Sequence, residues 1–380
     1  MIEPRLDGLR VAVDGRYARR PGMGIHVYLR QVVRLLREAG ADVTLLINFP
    51  DSEAARDGFE HVRWQSFGSD VNLLWEQRDV PRRLRREGFD LYWAPGNSGI
   101  PFLPVGRTRQ VFTLHDLIPL QLPRMHLWGR PLYAVPYLIW TLAGVLRSDV
   151  ILTISAASAK DLKHLFRRSS VIAPSVFYED LLPAAAGDGP PAPPEGLEGV
   201  RYVLYNGGLD PRKNVDNLLQ GFAYAAARDP ELRLVLMGRG YDRLAARMAE
   251  LGIADRTVLT GFVSDERKLE IMRGAVALVY PSLYEGFGLP LLEAFSQRVP
   301  VVTAPNSSLS EVAGDAAIYV DPLNPAAIGE GLLTVQQPDV ADRLRAAGTR
   351  RWEAYDPAAI RRTVVATLAR LAGRQAEEPV

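Results

Sequence analysis

Short apolar runs and amphipathic segments alternate along the chain in two series. The apolar runs are four to six residues long, as expected of buried parallel strands. They occupy residues 9–13, 43–47, 91–94, 111–114 and 150–154 in the first series, and residues 202–206, 234–237, 275–280 and 299–304 in the second. Helical periodicity follows several of them, most clearly at residues 27–39. This alternation predicts an α/β fold with two parallel, doubly wound sheets.

A segment without apolar periodicity separates the two series. Residues 183–199 are rich in proline, alanine and glycine, which is typical of a linker. The sequence therefore predicts an N-terminal domain over residues 1–182 and a C-terminal domain over residues 200–355. A last amphipathic helix is predicted over residues 357–371, within a tail that comprises residues 356–380.

Length, composition and charge narrow the possible classes of protein. A chain of 380 residues fits two domains of ordinary size. A formal net charge of +1 argues against nucleic acid as a partner, because such binding depends on massed cations. The absence of cysteine excludes disulfides, zinc–thiolate sites and cysteine nucleophiles.

Residues 1–13 do not resemble a signal peptide. The apolar run 131–146 is short for a membrane span and is interrupted by Pro136 and Gly144, so we expect a cytoplasmic protein.

The stretch that most suggests a ligand site is the glycine-rich turn after the apolar run 275–280. Pro290 fits the first turn of a helix, because its missing N–H would be unpaired there in any case. The backbone N–H groups of the turn and the positive helix end would then converge on one point, which suits a phosphate. The residues concerned are Gly286, Phe287, Gly288 and Leu289.

Two glutamates flank this turn, Glu285 before it and Glu293 within the predicted helix. A carboxylate is repelled by phosphate, so neither glutamate should bind the phosphate itself. Both are suited to accepting hydrogen bonds from hydroxyls, such as those of a sugar ring and a ribose. The alternative is a plain strand–turn–helix with two unrelated surface glutamates.

Two further strand-to-helix turns carry groups that suit a phosphorylated ligand. Arg212 and Lys213 follow the run 202–206, and the fork of Arg with the point charge of Lys can hold a diphosphate. An exposed pair without a ligand is an equal alternative. The glycine loop 21–25 precedes the helix 27–39, as in turns that bring backbone close to a phosphate or sugar, although a plain turn explains it as well.

His115 and Asp116 stand at the carboxyl end of the predicted strand 111–114. Parallel sheets place ligand-binding residues at this edge. Taken alone, the pair is as consistent with a structural role as with a functional one.

Two segments have both a structural and a functional interpretation. Residues 78–86 contain Arg78, Arg82, Arg83, Arg85 and Arg86, which favours a solvated helix face over contact with an anionic acceptor or membrane surface. Residues 124–147 hold four aromatic residues among aliphatic ones, which narrowly favours a pair of buried helices. The alternative is an apolar face that touches a lipid-linked substrate or a membrane.

These motifs resemble the retaining nucleotide-sugar glycosyltransferases of family 4, which have the GT-B fold. Residues 282–294 are Ser-x-Tyr-Glu-Gly-Phe-Gly-Leu-Pro-x-x-Glu-Ala, with the glycines, the proline and both glutamates in register. Residues 115–119 are His-Asp-Leu-x-Pro, which resembles the mannosyltransferase-like branch, and residues 206–214 carry Asn-Gly-Gly ahead of Arg-Lys-Asn. Two features depart from the family: Met23 stands in place of a usual glycine, and Gln297-Arg298 in place of a small residue and glycine.

The resemblance implies two Rossmann-like domains that face each other across a cleft, with the last helix crossing back to the first domain. It assigns His115 and Glu285 to catalysis beside the donor sugar. It places Val263 at the nucleotide base and Glu293 at the ribose. The full set of donor-binding residues that it implies is Gly24, Gly208, Arg212, Lys213, Val263, Gly286, Phe287, Gly288, Leu289 and Glu293.

We therefore expect a retaining transferase that moves a hexose from a nucleotide diphosphate sugar, with mannose from GDP-mannose in first place, to a glycan or lipid-linked acceptor. No acidic pair stands at the phosphate positions, and positive side chains with a helix end can replace a metal, so we expect no metal or other cofactor. Three alternatives stay open. They are a UDP- or dTDP-sugar donor with a small-molecule acceptor, a nucleotide-sugar epimerase of the same architecture, and a non-catalytic nucleotide-sugar-binding subunit. Peripheral contact with the inner face of the membrane also stays open.

Overall fold

The computed structural model describes residues 4–19, 24–52, 56, 58–126, 131–175, 193 and 195–374. The chain divides into two compact units, the first formed by Met1–Tyr178 with Pro357–Val380 and the second by Glu179–Asp356. Most of the predicted linker 183–199 lies outside the described residues, as do residues 21–23 of the predicted glycine loop.

The first unit is built on a parallel sheet whose described strands follow the order β3-β2-β1-β4-β5-β6-β7. The strands are β1 Arg10–Asp14, β2 Asp42–Ile47, β3 Arg63–Ser66, β4 Leu91–Ala94, β5 Arg109–Leu114, β6 Val150–Thr153 and β7 Val171–Ile172. Its helices are α1 Gly24–Glu38, α2 Val80–Glu87, α3 Ile118–Gln121, α4 Pro123–His126, α5 Pro131–Arg147 and α6 Ala156–Phe166. A π-helical turn, Trp75–Asp79, leads into α2.

The core of this unit forms where the apolar strand residues meet the helices. Tyr92 and Phe112 on the central strands are fully buried in one cluster with Trp75, Leu84 and Val145. Because both faces of a parallel sheet are covered, the strands read in sequence as nearly continuous apolar runs.

The second unit has the described strand order β10-β9-β8-β11-β12-β13, and all of these neighbours are parallel. The strands are β8 Tyr202–Tyr205, β9 Arg233–Met237, β10 Thr257–Gly261, β11 Ala277–Tyr280, β12 Val301–Thr303 and β13 Ala317–Tyr319. The helices are α7 Val215–Ala226, α8 Ala245–Glu250, α9 Asp265–Arg273, α10 Leu289–Ser296, α11 Ser307–Ala313, α12 Pro325–Thr334 and α13 Pro338–Glu353. The prediction of two parallel, doubly wound sheets is confirmed.

The strand order reverses once in each sheet, between β1 and β4 in the first unit and between β8 and β11 in the second. Open α/β sheets bind ligands outside the carboxyl ends of the strands at such a reversal. In the second unit this edge receives the segments after β8 and β11, which contain Arg212, Lys213 and the glycine-rich turn.

The last helix, α14 Pro357–Leu371, follows the second unit in sequence but belongs to the first. It packs on α1. Val364 and Leu368 are fully buried there, so the apolar side of α14 completes the first unit.

The preference for buried helices over residues 124–147 was wrong. Helix α5 runs without a break through Pro136 and Gly144, and it buries Tyr137, Ala143 and Val145. Several of its other apolar side chains are exposed, since none of the described elements covers them: Leu132, Tyr133, Val135, Leu138, Leu142 and Leu146. Trp128 lies outside the described residues. In the described ranges, no helix has both the length and the apolar character that crossing a membrane requires.

The arginine-rich segment 78–86 is helical, and three of its five arginines have local partners. Arg78 pairs with Asp79 at 2.7 Å and Arg83 with Glu87 at 2.7 Å. Arg85 donates to the carbonyl oxygen of Pro104 at 2.7 Å. These contacts agree with the favoured interpretation of a helix face.

Candidate active site

The glycine-rich turn connects β11 to α10 at the carboxyl edge of the second sheet. Gly288 precedes α10 with a φ of 121°, in the region that L side chains rarely adopt. A Cβ atom there would also lie 3.3 Å from Leu309 Cδ2. Pro290 occupies the first turn of α10, as predicted. The turn therefore requires glycine at position 288 for both its backbone and its packing.

Several backbone N–H groups of the turn are hydrogen-bond donors without an acceptor in the described part of the chain. Gly286, Phe287 and Gly288 are buried, yet the described residues supply no acceptor for their backbone N–H groups. Phe287 directs its side chain away into an edge-to-face contact with Tyr355, at 5.9 Å between ring centroids. Unpaired N–H groups just before a helix form a site for an anion.

Glu285 forms an ion cluster with both predicted phosphate-binding cations. Its Oε2 accepts from Arg212 Nη1 at 2.6 Å and its Oε1 from Lys213 Nζ at 2.7 Å. Arg212 also donates to the carbonyl oxygen of Tyr284 at 2.9 Å, and Lys213 contacts the hydroxyl of Tyr280. Arg212, Lys213 and Glu285 together carry a charge of +1, and the carboxylate of Asp210, 3.7 Å from Arg212 Nε, offsets it.

Backbone contacts hold this cluster in place. The side chain of Asp210 accepts from the N–H of Arg212 at 3.1 Å, and this caps the short 3-10 turn Pro211–Lys213. The N–H of Leu283 donates to the carbonyl of Arg212 at 2.7 Å and so joins the two strand ends. Ser307 accepts from the N–H of Glu285 at 2.9 Å.

The Glu285 carboxyl is almost fully buried, and burial alone would raise its pKa. The charges of Lys213 and Arg212, with their hydrogen bonds, outweigh burial and hold the pKa of Glu285 below its ordinary value. Glu285 is therefore ionised at neutral pH, as an acceptor of hydroxyl hydrogen bonds must be.

Glu293 lies on α10 with partners of its own, apart from the Glu285 cluster. Its Oε1 accepts from Lys268 Nζ at 2.8 Å, and its Oε2 accepts from Asn206 Nδ2 at 3.2 Å. Lys268 was not among the predicted site residues, and Asn206 was predicted only as the first residue of the Asn-Gly-Gly motif. Asn206 directly follows β8 and precedes the Gly207-Gly208 pair, and this position at a strand end could have identified its role.

Gly208 and Val263 lie on two other loops of the same sheet edge. Gly208 has a φ of 76°, its N–H donates to Tyr241 Oη at 2.9 Å, and it is exposed. Val263 lies between β10 and α9 and is partly exposed. Its neighbour Phe262 is strongly exposed and lies under the guanidinium of Arg239, 4.7 Å from the ring centroid. An exposed aromatic ring at a strand end offers a stacking surface for a planar base.

His115 lies in the first unit, directly after β5, and its ring is firmly oriented. Its Nε2 is 2.8 Å from the carbonyl oxygen of Pro95, and because a carbonyl only accepts, Nε2 carries the hydrogen in the neutral ring. Its backbone N–H donates to Asn97 Oδ1 at 2.8 Å, and its carbonyl accepts from Ser158 Oγ at 2.8 Å. Burial lowers the pKa of His115 and outweighs the bond to Pro95, so Nδ1 is an unprotonated acceptor at neutral pH.

An ion network that the sequence analysis missed lies at the reversal point of the first sheet. Arg16 pairs with Asp14 at 2.6 Å, also pairs with Glu76, and stacks on Trp75. Asp14 and Glu76 are fully buried, and burial raises the pKa of Glu76. The network joins the end of β1 to the turn before α2. The position of Asp14-Gly15-Arg16, directly after an apolar run, was the available signal.

Gly24 is the first residue of α1, and no atom lies within 4 Å of the position of a Cβ there.

In the second unit, the structure brings Arg212, Lys213 and Glu285 into contact and places Gly286, Phe287, Gly288 and Leu289 beside them. Glu293, Gly208 and Val263 share the same sheet edge. Across the described ranges there is no group of three or more His, Cys, Asp or Glu side chains arranged to hold a metal ion.

Comparisons with known proteins match both units. The profile described as "Glycosyl transferases group 1" matches residues 193–351, and that described as "Glycosyltransferase Family 4" matches residues 23–176. The chain is 34% identical over 304 residues to O-antigen chain mannosyltransferase B of Escherichia coli, with 77% of each protein covered. It is 31% identical over 181 residues to the MMP alpha-(1->4)-mannosyltransferase of Mycolicibacterium hassiacum, with 47% of this chain and 43% of that protein covered.

Solved structures are similar over nearly the full chain. Sucrose-phosphate synthase from Thermosynechococcus elongatus superposes with a TM-score of 0.73 at 17% identity, covering 97% of this chain and all of that one. Anabaena Alr3699/HepE in complex with UDP and glucose superposes with a TM-score of 0.72 at 17% identity, covering 95% of this chain and all of that one. At such identities the likeness concerns the fold.

Proposed function

The chain belongs to glycosyltransferase family 4, in the mannosyltransferase-like branch with the GT-B fold, and we propose that it transfers mannose from GDP-mannose to a glycan or lipid-linked acceptor. The proposal includes retention of the anomeric configuration, independence of metal ions and a cytoplasmic location. The predictions of the family, of the fold class and of an enzyme that transfers glycosyl groups are confirmed.

One observation carries the proposal for the donor site. At the reversal point of the second sheet, Arg212 and Lys213 meet Glu285 beside the N–H groups of three buried residues, which have no acceptor among the described residues. Cations and amides supply what a diphosphate needs, and the carboxylate supplies what a sugar hydroxyl needs. A diphosphate that carries a sugar has both groups within a few bonds of each other.

The chemistry follows from these groups. The acceptor hydroxyl oxygen attacks the anomeric carbon as the bond to the departing diphosphate breaks, and a phosphate oxygen takes the proton. Arg212, Lys213 and the amides of Gly286, Phe287, Gly288 and Leu289 stabilise the charge that grows on the diphosphate, which is usually the largest contribution in such a site. Because attack and departure share one face, no enzymic nucleophile is required and the configuration is retained.

The remaining residues would hold the donor in position. Glu285 would accept from the sugar hydroxyls, and Nδ1 of His115 is an acceptor of the kind that a sugar hydroxyl needs. Glu293 would accept from the ribose, and the backbone at Val263 would hold the base. Gly208 and Gly24 would allow a close approach of backbone to the donor.

The choice of mannose and of GDP is the most specific part of the proposal. They rest on the His-Asp-Leu-x-Pro form of residues 115–119 and on relatives whose names specify mannosyl transfer. A UDP- or dTDP-linked sugar with a small-molecule acceptor is the second candidate. It draws support from the fold relative that binds UDP and glucose.

The first test is a thermal-shift panel of GDP, UDP, dTDP and ADP with a metal chelator present. A nucleotide at about 100 times its Kd adds roughly 2.7 kcal/mol to the free energy of unfolding. We expect GDP alone to raise the melting temperature clearly. Stabilisation by UDP or dTDP instead would overturn the choice of donor but keep the phosphate site. No stabilisation by any of the four would overturn the phosphate site.

Variants make this panel specific. The double variant Arg212→Ala/Lys213→Ala should lose the stabilisation by GDP. The matched control Arg343→Ala removes an exposed cation of α13 in the same unit and should keep it. The anomeric signal of the product, measured by NMR, tests retention. A product with the configuration opposite to that of the donor would contradict the mechanism.

A further inference from the structure

Helix α5 has an apolar stripe that the described part of the chain leaves exposed. Leu132 is 94% exposed, Val135 55% and Leu146 60%, and Leu138 and Leu142 between them are exposed as well. These positions recur every three or four residues, so the five side chains lie along one side of the helix. A contiguous exposed apolar patch on a globular protein marks an interaction surface.

The other side of α5 is fixed to the first unit. Tyr137, Ala143 and Val145 are buried, and the helix packs on β5. Residues 131–146 contain no charged side chain. The buried side of α5 therefore fixes the orientation of the helix, and the stripe faces solvent.

Cations gather at the carboxyl-terminal end of the stripe. Leu146 and Arg147 line one groove together with Arg107 and Arg109. Arg168 donates to the carbonyl of Ser148 at 3.0 Å, directly after the end of α5. Arg109 is paired with Asp149 at 2.9 Å, whereas Arg107 and Arg147 form no ion pair with the described carboxylates.

The unit that contains the stripe also has an excess of basic side chains. The net charge of +1 conceals a first unit with 28 Lys and Arg against 19 Asp and Glu, and a second unit with 17 against 25. Residues 82–168, which contain α5, hold 13 basic and 5 acidic side chains, so nearly all of the excess lies within this range of the sequence. Such asymmetry between the halves of a chain points to an anionic surface as partner.

We infer that the stripe of α5 and the arginines at its end dock the first unit onto a membrane that carries anionic lipids. The leucines enter the acyl boundary while Arg107 and Arg147 lie at the level of the lipid phosphates. A nucleic acid would bind the arginines but gain nothing from the leucines. A second copy of the chain would bring two surfaces of the same sign together. The inference goes beyond the proposed reaction and does not depend on the identity of the donor.

The test is sedimentation of the purified full chain with vesicles of phosphatidylcholine alone or with about 30% phosphatidylglycerol, at about 0.1 M salt. We expect at least about tenfold more binding to the anionic vesicles, and a decrease when the salt is raised. The double variant Leu138→Glu/Leu142→Glu should reduce binding by about tenfold or more. Its control is Leu323→Glu, which changes an exposed leucine of the second unit and should bind like the parent chain.

A second pair of variants covers the case in which the leucine variant does not fold. Arg107→Glu/Arg147→Glu alters only exposed cations and should reduce binding to anionic vesicles about tenfold, whereas Arg343→Glu should not. Equal binding of parent and variants, or no binding by the parent, would overturn the inference. A parent dimer in light scattering that Leu138→Glu/Leu142→Glu converts to a monomer would overturn it too, because a second copy would then cover the stripe.

Discussion

At the scale of single residues, the cations of the candidate donor site already hold an anion. Arg212 and Lys213 both donate to Glu285, so an incoming diphosphate competes with this carboxylate for its two cations. Replacing a charged carboxylate with its amide weakens such bonds while keeping their shape, because charge-assisted hydrogen bonds are about twice as strong as neutral ones.

We therefore expect Glu285→Gln to bind GDP at least as tightly as the parent chain and to lose turnover by about 100-fold or more. Calorimetry measures the first quantity and a transfer assay the second. Glu293→Gln is the matched control, since it should weaken GDP binding through the ribose. Near-normal turnover by Glu285→Gln would refute the role given to Glu285, and weaker GDP binding would refute the competition for its two cations.

His115 gives a prediction about pH. Burial lowers its pKa below the ordinary value of 6.5, so the folded state favours the neutral ring. The resulting stability is fully present above pH 6.5 and is lost as the pH falls below that value towards the lowered pKa. We expect the melting temperature of His115→Asn to depend less on pH than that of the parent chain in this range. The same slope in both chains would show that His115 does not titrate as described.

At the scale of elements, the turn before α10 depends on one glycine. Alanine at position 288 would adopt a φ of 121° and place its Cβ 3.3 Å from Leu309 Cδ2. Strain of this kind costs about 1–3 kcal/mol, and each kcal/mol lowers the melting temperature by about 2–4 °C in a domain of this size. We expect Gly288→Ala to melt several degrees lower and to bind GDP more weakly.

The control is Gly252→Ala, which also has a positive φ, 65°, but has no atom within 4 Å of the added Cβ. It should show strain alone and bind GDP normally, because Gly252 follows α8 away from the turn. Equal GDP binding by Gly288→Ala and Gly252→Ala would mean that the turn does not shape the phosphate site.

The elements also show where sequence reasoning succeeds and where it fails. The turn 281–294 was predictable because glycine, proline and an apolar run each have a local cause for their conformation. The exposure of α5 was not, since an apolar helix reads the same whether a neighbour covers it or not. The contact of Glu285 with Arg212 and Lys213 joins residues 73 and 72 positions apart. It depends on β8 lying next to β11, and a single sequence does not reveal strand order.

At the scale of the whole molecule, the first unit is completed by the end of the chain. Helix α14 follows the second unit but packs on α1, and its Leu368 is fully buried. Replacing a buried leucine with alanine costs about 2–5 kcal/mol. We expect Leu368→Ala to raise the rate of hydrogen exchange in α1 and in the sheet of the first unit, because the buried contacts of Leu368 belong to that unit. Strands β8 to β11 should keep their protection from exchange. Leu344→Ala on α13, buried in the second unit, is the reciprocal control and should loosen that unit alone. Loss of protection in both units after Leu368→Ala would mean that the chain unfolds as one cooperative body, and its two sheets would then not be separate folding units.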